Sequence, residues 1–289
     1  PEGFATKVNA EWEHTKNGPG RLTDKELERI RGHFSAPEYT SFDDSTETDS
    51  EALANKYFKN WLQRNVKDHK IPGYSIVNLS LKKLGVPPGN VSDKQLNQLA
   101  DLADLYSFGE LRVTHEQNVV LADVPKNKLY ALWEKIKPMG FATPNLGTLT
   151  DIICCPGGDY CALANAKSIP VAEALQAKFD DFDYVYDLGD LDLNISGCMN
   201  ACGHHHVGNI GVLGVDKKGK EWYQVSLGGA SGQDASLGKI LGPSFARGQM
   251  PEVIEKILDV YVANRLQEEP FIDTYRRIGI GPFKERVYA

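Results

Sequence analysis

Cys154-Cys155-Pro156-Gly157-Gly158-Asp159-Tyr160-Cys161 and Gly197-Cys198-Met199-Asn200-Ala201-Cys202-Gly203 decide how this chain is read. The two stretches hold all five cysteines of a 289-residue sequence. A disulfide framework belongs to smaller secreted domains with cysteines spread along them, and an odd count leaves one unpaired. Clustered thiols suit metal binding or redox chemistry instead. Five residues separate Cys155 from Cys161, and three separate Cys198 from Cys202. Each pair follows an apolar stretch that predicts a strand, so the thiols fall on loops. Four thiolates match the irons of a cubane cluster, one each. Gly157, Gly158, Gly197, Ala201 and Gly203 let backbone approach such a cluster, and their N–H groups can bond its sulfurs and set its potential. Structural zinc is the competing metal reading, but it favours roughly 2–4 residues between paired cysteines. Ordinary buried cysteines are a further alternative, and the glycines in both loops argue against it.

Working outward, Asp151-Ile152-Ile153 predicts the end of a strand, and a helix is expected from Cys161 to about Phe179. A strand is expected over 191–196. Strands over 209–215 and 221–227 flank Asp216-Lys217-Lys218-Gly219, a predicted hairpin turn. Pro251 opens a C-terminal helix with Val253, Ile254, Ile257, Leu258 and Tyr261 inward. Upstream, 74–81 alternates as a strand. Ser92 caps a helix carrying Leu96, Leu99, Ala103 and Tyr106 at helical spacing. Strands at 111–114 and 118–122 follow, then a helix over 126–137 with Leu129, Leu132, Trp133 and Ile136 inward. Strand, helix, strand, strand, helix is most of a split βαβ unit. Before it, a charged helical stretch at 23–33, an acidic linker ending near Asp49 and a helix from Ser50 to about Asn65 read as a peripheral segment.

The composition is that of a soluble globular protein, with 41% hydrophobic and 25% charged residues. No apolar run approaches the ~20 residues of a membrane helix, and the opening residues carry no signal-peptide pattern. A net charge of −7 argues against general nucleic-acid binding. The first residue is Pro1, not methionine, which predicts a processed product or part of a longer polypeptide.

The pattern C-P-G-x-x-x-C followed by G-C-x-N-x-C-G resembles the sirohaem- and [4Fe-4S]-containing nitrite/sulfite reductases. Arg112-Val-Thr-His-Glu-Gln-Asn118 is similar to the strand-loop-strand of that family's ferredoxin-like half-domain, and Ile272-Asp-Thr-Tyr-Arg-Arg-Ile-Gly279 to its C-terminal signature. The resemblance implies an α+β fold, a ferredoxin-like half-domain followed by a sirohaem/iron–sulfur mixed α/β domain. The expected divisions are a peripheral segment and linker at 1–65, the half-domain at 66–145 and the cofactor domain at 146–289. It implies Cys155, Cys161, Cys198 and Cys202 as cluster ligands, with the Cys202 sulfur also on the sirohaem iron. By position it places Arg112, Gln117, Asn118, Cys154, Ser196, Asn200 and Ala201 against sirohaem. The implied reaction is six-electron reduction of sulfite to sulfide or nitrite to ammonia, in the cytoplasm, with ferredoxin or a flavoprotein as donor. Family enzymes are pseudo-twofold, and the basic residues that grip substrate come mostly from the N-terminal half. Only the later half is evident here, so the N-terminal half of the same enzyme is an expected partner and the chain alone is expected to be inactive. The rival reading is a non-catalytic Fe–S or zinc-binding domain serving assembly or electron transfer.

Other features read blandly. His204, His205 and His206 alternate faces if extended and cannot all reach one ion. Arg112 suits either a sirohaem carboxylate or an exposed strand. Arg276, Arg277, Lys284 and Arg286 read as a solvated basic face.

Overall fold

The computed structural model describes residues 2–41 and 54–289, so the acidic stretch to Asp49 and the expected helix start at Ser50 lie outside the described residues. The chain divides into two compact units, residues 1–41 and 42–289. In the first, α1 (Glu2–Thr15) and α2 (Asp24–Arg31) bury none of their side chains. The Thr23 hydroxyl caps α2 by accepting the Glu26 N–H at 3.2 Å.

The described residues of the second unit form two sheets. The first is antiparallel, in the order β1-β2-β4-β3, from β1 (Val66–Asp68), β2 (Tyr74–Leu79), β3 (Arg112–Val113) and β4 (Val119–Pro125). Three helices cover it: α3 (Lys56–Asn65), α4 (Asp93–Tyr106) and α5 (Leu129–Met139). Ser92 and Gln95 close a reciprocal cap on α4. Leu99, Ala103 and Tyr106 are buried as the spacing predicts, whereas Leu96 is exposed. Helix α3 was expected in the peripheral segment. It instead drives Phe58 and Trp61, both fully buried, into this core against Trp133. Each such ring contributes roughly 2–3 kcal/mol through burial.

The second sheet runs β5-β6-β7-β8-β9, from β5 (Ile153–Cys154), β6 (Leu193–Ser196), β7 (Ile210–Asp216), β8 (Glu221–Leu227) and β9 (Lys239–Ile240). Strands β5, β6 and β7 are parallel, and the rest pair antiparallel. The expected turn between β7 and β8 forms with Lys218 and Gly219 at φ 57° and 75°, as a tight hairpin requires. Five helices surround the sheet: α6 (Ile169–Lys178), α7 (Phe182–Asp187), α8 (Met250–Asn264), α9 (Phe271–Ile278) and α10 (Gly281–Tyr288). The five predicted inward residues of α8 are all buried.

A further expectation is corrected. No helix begins at Cys161; α6 starts at Ile169. The backbone N–H groups of Asn165 and Ala166 instead both donate to the Gly197 carbonyl, at 2.9 and 3.0 Å. Donors committed to a neighbouring loop leave no helical ladder there.

Candidate functional site

Both cysteine loops leave the carboxyl ends of adjacent parallel strands. Cys154 pairs with Ile195 across β5 and β6, and the Cys155 N–H donates to the Ile195 carbonyl at 3.0 Å. The crevice outside such strand ends is where open α/β sheets hold ligands. The first loop turns at once through Gly157–Asp159, and the Cys161 N–H returns to the Gly157 carbonyl at 2.9 Å. The second loop folds back on itself. Ala201 donates to the Cys198 carbonyl at 3.2 Å with its own φ at 57°. The buried Ser196 hydroxyl accepts the Gly203 N–H at 3.1 Å.

The loops cross at Gly157 and Gly197. A Cβ on Gly197 would lie 2.8 Å from the Gly157 Cα, and one on Gly157 would lie 2.5 Å from the Ser168 nitrogen. Only glycine permits this approach. The crossing brings the Gly197 N–H onto the Cys155 sulfur at 3.0 Å, with the Ser168 hydroxyl 3.4 Å from the same atom. The Gly197 N–H thus donates directly to this sulfur, and backbone N–H groups on a sulfur tune a metal bound to it.

The thiols differ in setting. Cys155 and Cys198 are buried, Cys161 is half-buried and Cys202 is exposed. Among the described residues, no three His, Cys, Asp or Glu side chains stand close enough to hold a metal ion. The two loops are brought together at Gly157 and Gly197. Cys154 is buried, its sulfur turned to the Cys155 carbonyl at 3.2 Å. Burial, then the neighbouring Cys155, pushes its thiol up.

The remaining candidates fall into three settings. Gln117 and Asn118 are engaged inside the protein. The Gln117 amide donates to the Cys154 carbonyl at 2.8 Å and accepts the Cys154 N–H at 2.9 Å. Asn118 is buried; it donates to Asp151 at 2.9 Å and accepts the Leu81 N–H at 3.0 Å. Arg112 lies on an exposed strand end, its Nε 2.5 Å from Glu110. Asn200 is exposed on the second loop. Lys167 precedes α6, not within a helix, and pairs with Asp159 of the first loop at 3.1 Å.

Lys82 was not among the sequence candidates. Its side chain is fully buried, 3.2 Å from Asp151 and 2.7 Å from the Glu116 carbonyl. Its signal in the sequence is a lysine directly after the alternating strand stretch 74–81, with an aspartate shortly before the cysteine strand. His205 was read, with its two neighbours, as a polar residue following the cluster loop. It is 2% exposed, and neither ring nitrogen has a hydrogen-bond partner. Burial, then the His206 ring at 3.9 Å between centroids, lowers its pKa to about 4.

Two domain models match this chain: the nitrite/sulfite reductase ferredoxin-like half domain over residues 83–139, and the nitrite and sulphite reductase 4Fe-4S domain over 147–289. The chain belongs to the nitrite/sulfite reductase family. Relatives in that family include the ferredoxin–nitrite reductase of Synechococcus elongatus, 32% identical over 62% of this chain and 36% of that protein. Another is sulfite reductase [ferredoxin] 2 of Mycolicibacterium paratuberculosis, 29% identical over 66% of this chain and 36% of its own length. The chain thus spans about a third of the length of the curated relatives it matches. The Mycobacterium tuberculosis NirA protein shares the fold, with a TM-score of 0.63 and 24% identity over 76% of this chain and 41% of that one. Dissimilatory sulfite reductase I also aligns, with a TM-score of 0.60 at 14% identity over 75% of this chain and 69% of that one.

Proposed function

We propose that this chain is the cofactor-bearing part of an assimilatory sulfite or nitrite reductase. In this reading Cys155, Cys161, Cys198 and Cys202 hold a [4Fe-4S] cluster, and Cys202 also reaches the iron of an adjacent sirohaem. The observation that carries it is the crossing of the two cysteine loops, with the Gly197 N–H on the Cys155 sulfur at 3.0 Å. The residues fit the group: thiols, a backbone donor to sulfur and glycines where a side chain would collide. The exposed Cys202 at the rim is suited to face a second cofactor.

When bound, the pair supplies electrons singly to one centre, which a six-electron reduction demands. The chain's own residues position the loops and shield them. Gly157 and Gly197 set their crossing, Ser196 ties the second loop through Gly203, and the Lys167–Asp159 pair fastens the first. Arg112 and the exposed Asn200 are the reading's sirohaem-facing polar groups, with Ala201 beside them. Sulfite or nitrite is an anion, and fixed cations would be needed to hold it beside the cofactors. Those are assigned to the N-terminal half of the same enzyme. The donor is a ferredoxin or a flavoprotein. No helix among the described residues is long and apolar enough to cross a membrane. Thiols of this kind need a reducing compartment, which we take to be the cytoplasm.

Visible absorption tests the reading. The chain, produced anaerobically in cells that make sirohaem, should show intense Soret and red bands over a broad iron–sulfur shoulder. A shoulder alone would favour an electron-transfer or assembly domain. A colourless chain carrying zinc would overturn the proposal.

A further inference from the structure

We propose that Gln117 is a positioning residue for the cluster, acting as a surrogate strand on the open edge of β5. The inference rests on the cluster reading above. Strand β5 ends its sheet. In a parallel pair, one residue turns its backbone groups toward the neighbour and the next turns them away. The Cys155 N–H faces β6, bonded to the Ile195 carbonyl. The N–H and carbonyl of Cys154 face the opposite edge, where no strand follows among the described residues. There the Gln117 carboxamide supplies one acceptor and one donor, at 2.9 and 2.8 Å, as a next strand would.

Several observations show that the amide is aimed. Gln117 holds φ at 61°, in the left-handed region that costs a side chain about 1 kcal/mol. Such strain persists only where the surroundings over-determine it. The turn that imposes it is closed by the Gln117 N–H on the Thr114 carbonyl and the Thr114 N–H on the Asn118 carbonyl, at 3.2 and 3.0 Å. Gly89 leaves room for the side chain, since a Cβ there would lie 3.0 Å from the Gln117 Cβ. The next residue, Asn118, bonds Asp151 just ahead of the same strand. Consecutive residues of one hairpin therefore brace consecutive parts of the segment that delivers Cys155. With both polar atoms on Cys154, Gln117 acts on the cofactors through the strand and not by direct contact.

Gln117→Leu and Gln117→Glu in the full 289-residue chain test this. In the metal-free protein, hydrogen exchange at the Cys154 amide should accelerate at least about tenfold in Gln117→Leu, because its acceptor is gone. In the reconstituted protein, iron release to a chelator should quicken on the order of 10-fold, with a shifted cluster reduction potential. Gln117→Glu sets a carboxylate against the Cys154 carbonyl. Its iron release should be fast at pH 8 and slow again as the carboxyl protonates and regains a donor. A purely packing role has no such pH dependence. Unchanged iron release and potential in both variants, while Cys155→Ser loses its iron, would overturn this inference alone. A wild-type chain that takes up no iron would overturn the cluster reading and the inference with it.

Discussion

Cys154 and Cys202 sit at opposite extremes of the site: one is buried with its thiol pushed up by desolvation, the other is exposed at the rim. The thiolate is the metal ligand and the nucleophile. Cys154 therefore stays protonated and inert, although it adjoins Cys155. In the metal-free chain iodoacetamide should label Cys202 more than roughly tenfold faster than Cys154, as peptide mass spectrometry will show. Cys154→Ala should keep its iron at a stability cost of about 1 kcal/mol, from a small cavity. Cys202→Ser should lose sirohaem. Equal sirohaem content in the two variants contradicts the bridging assignment.

His205 gives a pH prediction. Its folded pKa, about 4, lies below the ordinary 6.5, so the unfolded chain binds more protons between those values. Stability is then complete above pH 6.5 and falls as pH drops toward 4. The loss amounts to at most about 3 kcal/mol. Urea midpoints across that window should show the decline, and His205→Phe should flatten it. An unaltered slope in the variant would place the effect on other groups.

At the scale of elements, the crossing of the cysteine loops depends on two backbones touching. Gly197→Ala should cost about 3 kcal/mol and scatter the loops, because the new methyl meets the Gly157 Cα and the Ala166 carbonyl. Gly219→Ala, at φ 75° in the β7–β8 turn with open space around it, should cost only about 1 kcal/mol. Equal urea midpoints for the two would remove the crossing from the account.

The same elements show what a sequence exposes. The strand-helix pattern of the half-domain was legible because alternation and capping are local: Ser92, the inward face of α5 and strand β2 stand where spacing puts them. The four-cysteine pattern announced itself through its glycines. The loop at 161–168 was misread as helix because the N–H groups of Asn165 and Ala166 bond a carbonyl far away in the chain, at Gly197. Strand β1 was hidden for a like reason, since three residues become a strand only beside β2. The engagement of Gln117 and Asn118 with the cysteine strand also lay beyond reach, because nothing in a local pattern says where an amide is aimed.

On the scale of the second unit, Lys82 and Asp151 join the half-domain to the cysteine strand through a fully buried pair. Removing one partner leaves the other charged and buried. Lys82→Met should therefore cost about 3–5 kcal/mol. Adding Asp151→Asn should restore part of it, because the stranded charge is gone. Urea unfolding of the single and double variants measures the coupling, and strictly additive losses would dissociate the pair.

The central claim is that four thiols on two crossing loops hold one cluster. Iron analysis of the anaerobically reconstituted 289-residue chain, with each cysteine changed singly to serine, tests it most directly. The account predicts roughly four irons per wild-type chain, a collapse of that number for Cys155, Cys161, Cys198 and Cys202, and retention for Cys154. Iron content unaffected by any of those four substitutions, or lost equally with Cys154→Ser, would contradict it.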